Sequence, residues 1–450
     1  MSRLQERREA RDGLKMRGGS RPSVVATVDL GAAKIGCFIM KPDGVQKRGD
    51  NEEAAIQVAG VAHVRSRGVR GGAVVNMDEA AQAVAQAVER AETMAGVSVS
   101  GVVLTTAGGQ LASHRVHAGV SLGARPISDQ DLQRALQMAL AQARFPGRRP
   151  IHLLPIAWSV DGARGIRDPR DMFGRQLGLE LLVVTMNESA FATLGHCLEL
   201  AHLSLEGVVA APFAAALAAL EDDEMDLGCV CIDMGGGSTS TAVFSNGSLV
   251  HVDSLAVGGA HVTADVARGL STTMAGAERI KVLHGSAIAS ANEDREMIEA
   301  PPRGDDPGAG PVVAPRSLLK GVIAPRVEET LELVRERLKA SGAPLEPGAG
   351  VVLTGGASQL AGVRELAVRV FDRPVRLGRP RRAPHLAEAA SGPAFCAAVG
   401  VLQRAAFGPR EAVTSRTLGG ARVVQREPAA PGESRAGVLA RAAGWLRDNL

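Results

Sequence analysis

Apolar positions repeat one pattern at two places in this 450-residue chain. In VDLGAAKIGCFI, an apolar run ends at Asp29, a glycine-containing turn follows, and a second apolar run leads away from the turn. In CIDMGGGSTSTAVFSNG, the same order recurs around Asp233. Each pattern predicts a β-hairpin with a Gly-rich tip and an acid at its mouth.

These two predicted tips suit phosphate binding. Glycine lets backbone N–H groups approach phosphate oxygens closely, and a carboxylate can hold a hydrated Mg²⁺. One such tip is more often only a turn, but two of them suggest a nucleotide clamped between two related domains. The candidate magnesium residues are Asp29 and Asp233. The candidate phosphate-binding glycines are Gly31, Gly235, Gly236 and Gly237.

A third segment, VVLTGGASQLAGVREL at 351–366, predicts a buried strand, a Gly355-Gly356 turn and an amphipathic helix that begins near Ser358. A turn of this kind can bring bare backbone against a base or a phosphate, although alone it is an ordinary strand–helix turn. Together and in this order, the three segments resemble the phosphate 1, phosphate 2 and adenosine motifs of the actin / Hsp70 / sugar-kinase ATPase superfamily.

Strand and helix patterns alternate between and beyond these motifs. An amphipathic helix is predicted from about 78 to 96, and Ser128 with Asp131 forms a capping-box pattern before another helix. A helical region is expected over 259–284, and a further helix from about Ser317 to Lys339. The segment SGPAFCAAVGVLQRAAF is predicted to be the last core helix. The order indicates an α/β protein.

Composition narrows the class of protein. The length favours more than one domain, and a net charge of +3 without an aromatic series gives no reason to expect a nucleic-acid partner. The five cysteines form no CxxC pair, which indicates a reducing cytoplasm without disulfides or metal thiolates. No signal peptide or bilayer-spanning apolar run is found. Residues 1–22 read as a disordered basic tail and residues 408–433 as a linker.

The end of the chain, SRAGVLARAAGWLRDNL, predicts a short amphipathic helix. Arginines lie mainly on its polar side, which suits an anionic membrane interface. Alternatively, this helix docks on the protein's own core or on a partner protein. The linker before it argues against docking on the core. The apolar side would enter the membrane through Val438, Leu439, Trp445 and Leu446.

Four features together resemble the FtsA family of bacterial cell-division proteins. VDLGAAKIGCFI carries Lys34 after its turn, and WSVDGARGIRDPRDMFG contains the spaced VDG, GI.DP and M.G of the family. The segments SLAVGGAHVTADVARGLST and AERIK match the region after the second phosphate loop. A basic amphipathic helix behind a linker completes the likeness, which covers nearly all of residues 24–407 and the terminal helix.

This resemblance implies an actin-like two-domain ATPase fold with an inserted subdomain 1C, an interdomain nucleotide cleft and a C-terminal amphipathic helix. Subdomain 1A is expected at 23–100, 184–222 and 386–407, subdomain 1C at 101–183, subdomain 2A at 223–283 and 346–385, and subdomain 2B at 284–345. The tail, linker and membrane-targeting helix would occupy 1–22, 408–433 and 434–450.

The resemblance also implies ligands and their residues. ATP with Mg²⁺ would lie in the cleft, and Lys34 and Ser238 join the phosphate-binding set. Glu278 and Lys281, one helical turn apart, resemble the ribose and adenine contacts, although such a pair is often a surface ion pair. Gly355 and Gly356 would back the adenosine.

The implied partners belong to cell division. The family receives the C-terminal peptide of FtsZ in subdomain 2B, and Arg326 and Glu329 in APRVEETLELV are the candidate contacts, with a surface salt bridge as the alternative. The resemblance further implies self-association into filaments, contact with other division proteins, and a place on the cytoplasmic face of the inner membrane at the division site.

Three positions depart from hydrolytic relatives. Ala211 and Leu217 stand where relatives carry a Glu or a Gln that orients water, and Ser240 stands where an acid or an imidazole is common. Ala32 and Ala33 also offer no hydroxyl in the first loop. We therefore predict ATP binding with little or no hydrolysis and name no catalytic residue.

Three other classes of protein contain some of these motifs. A polyphosphate phosphatase or sugar kinase would need a carboxylate at the position of Ala211. A chaperone would need a substrate-binding domain after Phe407. A type IV pilus assembly scaffold of the same fold remains an alternative, although a basic amphipathic tail would not be expected in it.

Overall fold

A computed structural model describes residues 24–48, 51–289, 295–303, 310–380 and 390–407. The tail expected at 1–22, the linker at 408–433 and the helix at 434–450 lie outside these residues. Among the helices that the structure describes, none is both long and apolar enough to cross a bilayer.

Two five-stranded sheets share one topology. The strands of the first sheet are β1 (Val25–Leu30), β2 (Lys34–Arg48), β3 (Asn51–Arg65), β6 (Gly101–Thr106) and β11 (Ser204–Ala210). Those of the second are β12 (Cys229–Met234), β13 (Thr239–Ser245), β14 (Ser248–Leu255), β17 (Gly350–Thr354) and β18 (Val375–Leu377). The first sheet has the order β11-β6-β1-β2-β3 and the second the order β18-β17-β12-β13-β14. In each sheet, the three strands that come first along the chain pair antiparallel, and the two later strands pair in parallel on the other side of the first one.

The first sheet is buried on both faces. Along β2, Cys37 and Ile39 pack with the alanine-rich α1 (Met77–Ala95), whereas Phe38 and Met40 pack with α10 (Cys396–Phe407). Successive side chains of a strand point to opposite faces, so one hydrophobic run can serve both layers. Helix α1 confirms the helix expected at 78–96. A two-stranded pair, β4 (Val69–Arg70) and β5 (Ala73–Val74), precedes it.

A four-stranded sheet forms a separate module inserted in the first domain. Its order is β7-β10-β8-β9, with strands β7 (Ala112–Pro126), β8 (Arg148–Val160), β9 (Ala163–Ile166) and β10 (Phe173–Asn187). Helix α2 (Asp129–Gln142) covers one face and begins with the expected capping box of Ser128 and Asp131. The module was expected to begin at 101, but β6 pairs with β1 and β11, so this sheet begins only with β7.

Helices cover the second sheet. The expected region 259–284 is two helices, α6 (Gly259–Gly269) and α7 (Met274–His284), and the helix expected at 317–339 is α8 (Arg316–Ser341). A small sheet of β15 (Met297–Ala300) and β16 (Val312–Pro315) lies between α7 and α8 in the chain. Three other helices are α3 (Glu188–Leu200), α4 (Ala211–Ala219) and α5 (Asp222–Leu227).

Helix placement near the third motif differs from expectation. Residues after Gly355 form a short 3-10 helix (Gly356–Gln359), and α9 begins only at Val363 (Val363–Phe371). Gly362 has φ +79°, a left-handed conformation that glycine adopts without strain, and it separates the two helices. The helix predicted near Ser358 therefore starts later. The last core helix likewise begins as a 3-10 turn (Pro393–Phe395) before α10.

Two alanine-rich helices join the domains. Gly400 of α10 lies against the Ala214 carbonyl of α4 so closely that a Cβ would overlap it. This contact lets the helix axes approach, and it holds α4 beside β12 and β13. The tips of the β1–β2 and β12–β13 hairpins are thereby brought to the same side of the molecule.

Candidate functional site

The two predicted hairpin tips touch each other. The turn from Gly31 to Ala33 joins β1 to β2, and the turn from Gly235 to Ser238 joins β12 to β13. A Cβ on Gly236 would lie 2.8 Å from the Ala33 Cβ, and one on Gly237 would lie 2.5 Å from the Ala32 Cβ. Real Cβ atoms do not approach so closely, so these glycines are needed for the contact between the domains.

Asp29, Asp233 and Lys34 bring three charges to this contact. Both acids are half-buried, and burial raises the pKa of Asp29 to about 6 and that of Asp233 to about 7. The negative charge of Asp29 raises the pKa of Asp233 further, whereas Lys34 opposes both shifts. Burial lowers the pKa of Lys34 to about 8, and the two aspartates oppose that change. A single lysine is therefore too little positive charge to keep both aspartates ionised at neutral pH.

A buried hydroxyl without a hydrogen bond lies beside each of these acids. Among the described residues, Thr105 Oγ1 and Ser240 Oγ have no partner. Thr105 is the register partner of Asp29 across β1 and β6, and Ser240 that of Asp233 across β12 and β13. Register partners share a face of the sheet, so each carboxylate has an unsatisfied hydroxyl next to it. This donor set fits a hydrated divalent cation, which takes oxygen ligands and keeps several waters.

The second loop is braced by the start of α6. Within the loop, the Gly235 N–H donates to the Ser238 carbonyl at 2.8 Å. The Gly259 N–H donates to the Gly235 carbonyl at 3.0 Å, and the Ala260 N–H donates to the Gly236 carbonyl at 2.7 Å. These bonds hold the loop backbone in one conformation, and they connect it to the predicted adenosine-side helices.

The third loop lies directly against Asp233. Gly355 has φ +85°, and a Cβ built on it would overlap the Asp233 carboxylate and the Met234 carbonyl. The Gly355 N–H donates to the Pro393 carbonyl at 3.2 Å, and the Thr354 hydroxyl donates to the same oxygen at 3.2 Å. Gly356 faces Ala394, to whose Cβ the distance would be 3.7 Å. The loop that was predicted to back a nucleoside is thus fixed beside the acid of the second tip.

Glu278 and Lys281 form more than a surface ion pair. Lys281 Nζ donates to Glu278 Oε2 at 2.7 Å, to Thr263 Oγ1 at 2.8 Å and to the Gly259 carbonyl at 3.2 Å. The Thr263 hydroxyl also hydrogen-bonds to Glu278. The lysine side chain is only 13% exposed. The pair therefore joins α7 to the start of α6 at Gly259, the residue whose N–H also braces the second loop.

Arg326 and Glu329 lie on α8, in contact with α6 rather than with the hairpin tips. Arg326 Nε donates to Asp265 Oδ2 at 2.5 Å, and Arg326 Nη1 donates to Glu329 Oε2 at 2.6 Å. The arginine side chain is about one-third exposed and the glutamate side chain more than half. Their surface position leaves them open to a partner, and their role in recognition stays a prediction.

The positions that depart from hydrolytic relatives hold no group that could activate water. Ala211 begins α4 and is buried, and Leu217 packs against the hydrophobic core. Ser240 is buried beside Asp233, but a hydroxyl is a weak base at neutral pH. The side chains at these three positions cannot take a proton from an attacking water.

Sequence reasoning missed Phe395 and Thr105. Phe395 places its ring face under Lys34 Nζ, which lies 3.0 Å from the ring centroid. It stands in SGPAFCAAV, where the pattern indicates only a helix start. Thr105 stands in GVVLTTAGG, which indicates only a strand. The pairing of β6 with β1 places Thr105 beside Asp29, and no spacing along the chain could have shown that contact.

Comparisons with known proteins agree on one family. A family model described as "Cell division protein FtsA" matches residues 230–400, and one described as "SHS2 domain inserted in FTSA" matches residues 108–185. The chain is 43% identical over 391 residues to the cell division protein FtsA of Rhizobium meliloti (strain 1021), covering 86% of this chain and 88% of that protein. It is 30% identical over 427 residues to the cell division protein FtsA of Pseudomonas aeruginosa, covering 95% and 98%.

A solved structure supports the fold. The chain resembles one in the "PilM-PilN type IV pilus biogenesis complex" with a TM-score of 0.57 at 18% identity, covering 84% of this chain and 98% of that one. At this identity the likeness concerns the fold alone. The sequence matches and the repeated two-sheet topology show that the chain belongs to the FtsA family of cell-division proteins and has an actin-like fold.

Proposed function

We propose that the protein binds ATP with Mg²⁺ between its two domains. The observation that carries the proposal is the meeting of two Gly-rich hairpin tips around Asp29, Asp233 and Lys34. Bound Mg²⁺ would supply the positive charge that the two carboxylates need and would neutralise phosphate oxygens. Backbone N–H groups of the glycine tips and the Lys34 ammonium would donate hydrogen bonds to the remaining phosphate oxygens.

The nucleotide is proposed to act as a structural and switching ligand rather than as a consumed substrate. A phosphate-bound site hydrolyses ATP quickly only when a side chain orients the attacking water. Ala211 and Leu217 have no polar atom in their side chains, and Ser240 is a poor base. The same observation argues against a phosphatase or a sugar kinase, since both need such a group for turnover.

At the level of the cell, we propose an actin-like scaffold that polymerises on the inner membrane, anchors FtsZ filaments and helps to recruit other division proteins. Membership in a cell-division family supports this role. Arg326 and Glu329 on the exposed side of α8 would receive the C-terminal peptide of FtsZ. The amphipathic pattern of residues 434–450 supports attachment to the cytoplasmic face of the membrane at the division site.

ATP titration tests the nucleotide proposal. Calorimetry with Mg²⁺ present should give saturable binding to the parent protein, and Asp233→Asn should weaken it by at least about tenfold because a carboxylate that faces the cation is lost. The matched control is Glu365→Gln on the exposed surface of α9, which should bind ATP as the parent does. Equal affinity of the parent and Asp233→Asn in folded protein would exclude this site.

Sedimentation with anionic liposomes tests the scaffold. The parent should sediment with the vesicles, more completely with ATP than without it, because a filament carries many tails and gains avidity. A chain that ends at residue 433 should stay in the supernatant under both conditions. Retention of that shortened chain on the vesicles would show that another surface attaches the protein.

A further inference from the structure

Phe395 occupies a junction that the proposed function leaves unexplained. Its ring lies at the end of the 3-10 turn from Pro393 and directly before α10. The ammonium of Lys34 sits over the ring face, 3.0 Å from the centroid. An ammonium is attracted to the negative face of an aromatic ring, and the attraction grows as water is removed. This contact therefore fixes the far end of a long side chain.

The ring itself is held from several sides. The Phe38 and His63 rings meet it edge-on, with centroids 6.2 Å and 5.9 Å away. The Phe395 N–H donates to the Gly392 carbonyl at 3.0 Å. Two residues earlier, the Pro393 carbonyl accepts the hydrogen bonds from the third loop described above. The ring thus has a fixed orientation relative to both the first sheet and the third loop.

Lys34 has few other contacts that could hold its ammonium in place. Within the part of the chain that the structure describes, no hydrogen bond or salt bridge involves Lys34 Nζ. The attraction to Asp29 and Asp233 acts at a distance and has little directional preference. A lysine side chain loses much rotamer freedom when it is ordered, so a preset position lowers the cost of engaging a ligand.

We propose that Phe395 is a positioning residue for Lys34: its ring face holds the ammonium at the contact between the two hairpin tips, ready for an anionic group. This inference rests on the proposed nucleotide function and names a residue that acts on the ligand only through Lys34. Because Phe395 directly precedes α10, the same ring also connects the first hairpin tip to the start of that helix.

Fluorinated phenylalanines at position 395 test the proposal. Adding one, two and then three fluorines to the ring leaves its shape nearly constant but weakens the negative charge of its face. The dissociation constant for ATP should rise stepwise along the series, by about threefold to tenfold for the trifluoro ring. The same series at Phe173, which is 71% exposed in the inserted module, is the matched control and should leave ATP affinity unchanged.

A second readout needs no nucleotide. The ¹⁹F resonance of 4-fluorophenylalanine at position 395 should shift when Lys34→Met removes the ammonium from the ring face. An unchanged resonance, or an ATP affinity that stays flat along the fluorine series, would overturn the role of Phe395. Absence of ATP binding to the unmodified protein would instead contradict the proposed function. The experiment therefore distinguishes an error about Phe395 from an error about nucleotide binding.

Discussion

Replacing Gly355 by alanine should damage the protein at the point where the third loop meets Asp233. The residue has φ +85° and ψ 165°, a region that is accessible essentially only to glycine. An added Cβ would also overlap the Asp233 carboxylate and the Met234 carbonyl. Either the loop or the acid must therefore move.

The expected cost has two parts. The backbone conformation contributes about 1–3 kcal/mol of strain, and the overlap adds about 1–3 kcal/mol. Gly348 separates these parts because it has φ +87° but nothing within 4 Å of a built Cβ. Gly348→Ala should lower the free energy of unfolding by the backbone part alone. Because only the Cβ at position 355 would overlap Asp233 and Met234, Gly355→Ala should cost more than Gly348→Ala.

Urea unfolding measures the loss of stability in both variants, and ATP titration measures the effect on nucleotide binding. Gly355→Ala should unfold at a lower urea concentration than Gly348→Ala, and its ATP affinity should fall by roughly tenfold because Asp233 is displaced. The control should bind ATP as the parent does. The reasoning would be refuted if both variants unfolded at the same urea concentration and bound ATP equally well.

Three further predictions concern charge. Arg326→Glu should break the contact with Asp265 and weaken binding of the acidic FtsZ peptide several-fold in a fluorescence titration; unchanged affinity would remove Arg326 from that surface. Affinity for Mg²⁺·ATP should fall as the pH drops through about 7 and then 6, because burial raises the pKa of Asp233 and of Asp29 and the protonated acids cannot hold a cation; a calorimetric profile that is flat between pH 8 and 5.5 would contradict this. Trp445→Glu should abolish flotation with anionic vesicles and leave ATP binding intact, whereas continued flotation would assign attachment to another segment.

The pH dependence of stability has the opposite sign to that of ATP binding for the same two acids. Each pKa lies above the value of 3.8 that applies to an unfolded chain, so the folded state of the ATP-free protein binds protons more tightly. The stabilising contribution is complete below pH 3.8 and is lost as the pH rises through about 6 and 7. The proposed Mg²⁺ would reverse this preference, since a bound cation favours the ionised carboxylates.

The hairpin tips could be predicted from the sequence because local rules govern them. An apolar run, an acid and a cluster of glycines specify a tight turn through backbone sterics alone, and the structure shows both turns where they were expected. The capping box of Ser128 and Asp131 is equally local. Such features depend on residues within a few positions of one another.

Other features depend on contacts between distant segments. Strand β6 belongs to the first sheet because it pairs with β1 and β11. The sequence GVVLTT predicts a strand but does not show which sheet it joins. The late start of α9 follows from Gly362, whose left-handed turn is packed against Ile288. The contact between Phe395 and Lys34 joins residues from opposite ends of the chain. Tertiary packing determines all three.

Hydrogen exchange with and without Mg²⁺·ATP tests the central claim most directly. A nucleotide clamped between two domains must contact both hairpin tips and the third loop at once. Amides at 29–35, 233–239 and 354–359 should therefore become protected together when Mg²⁺·ATP is added, while those of the inserted module at 112–187 stay unchanged. Protection confined to one of the three loops, or to none, would contradict the account.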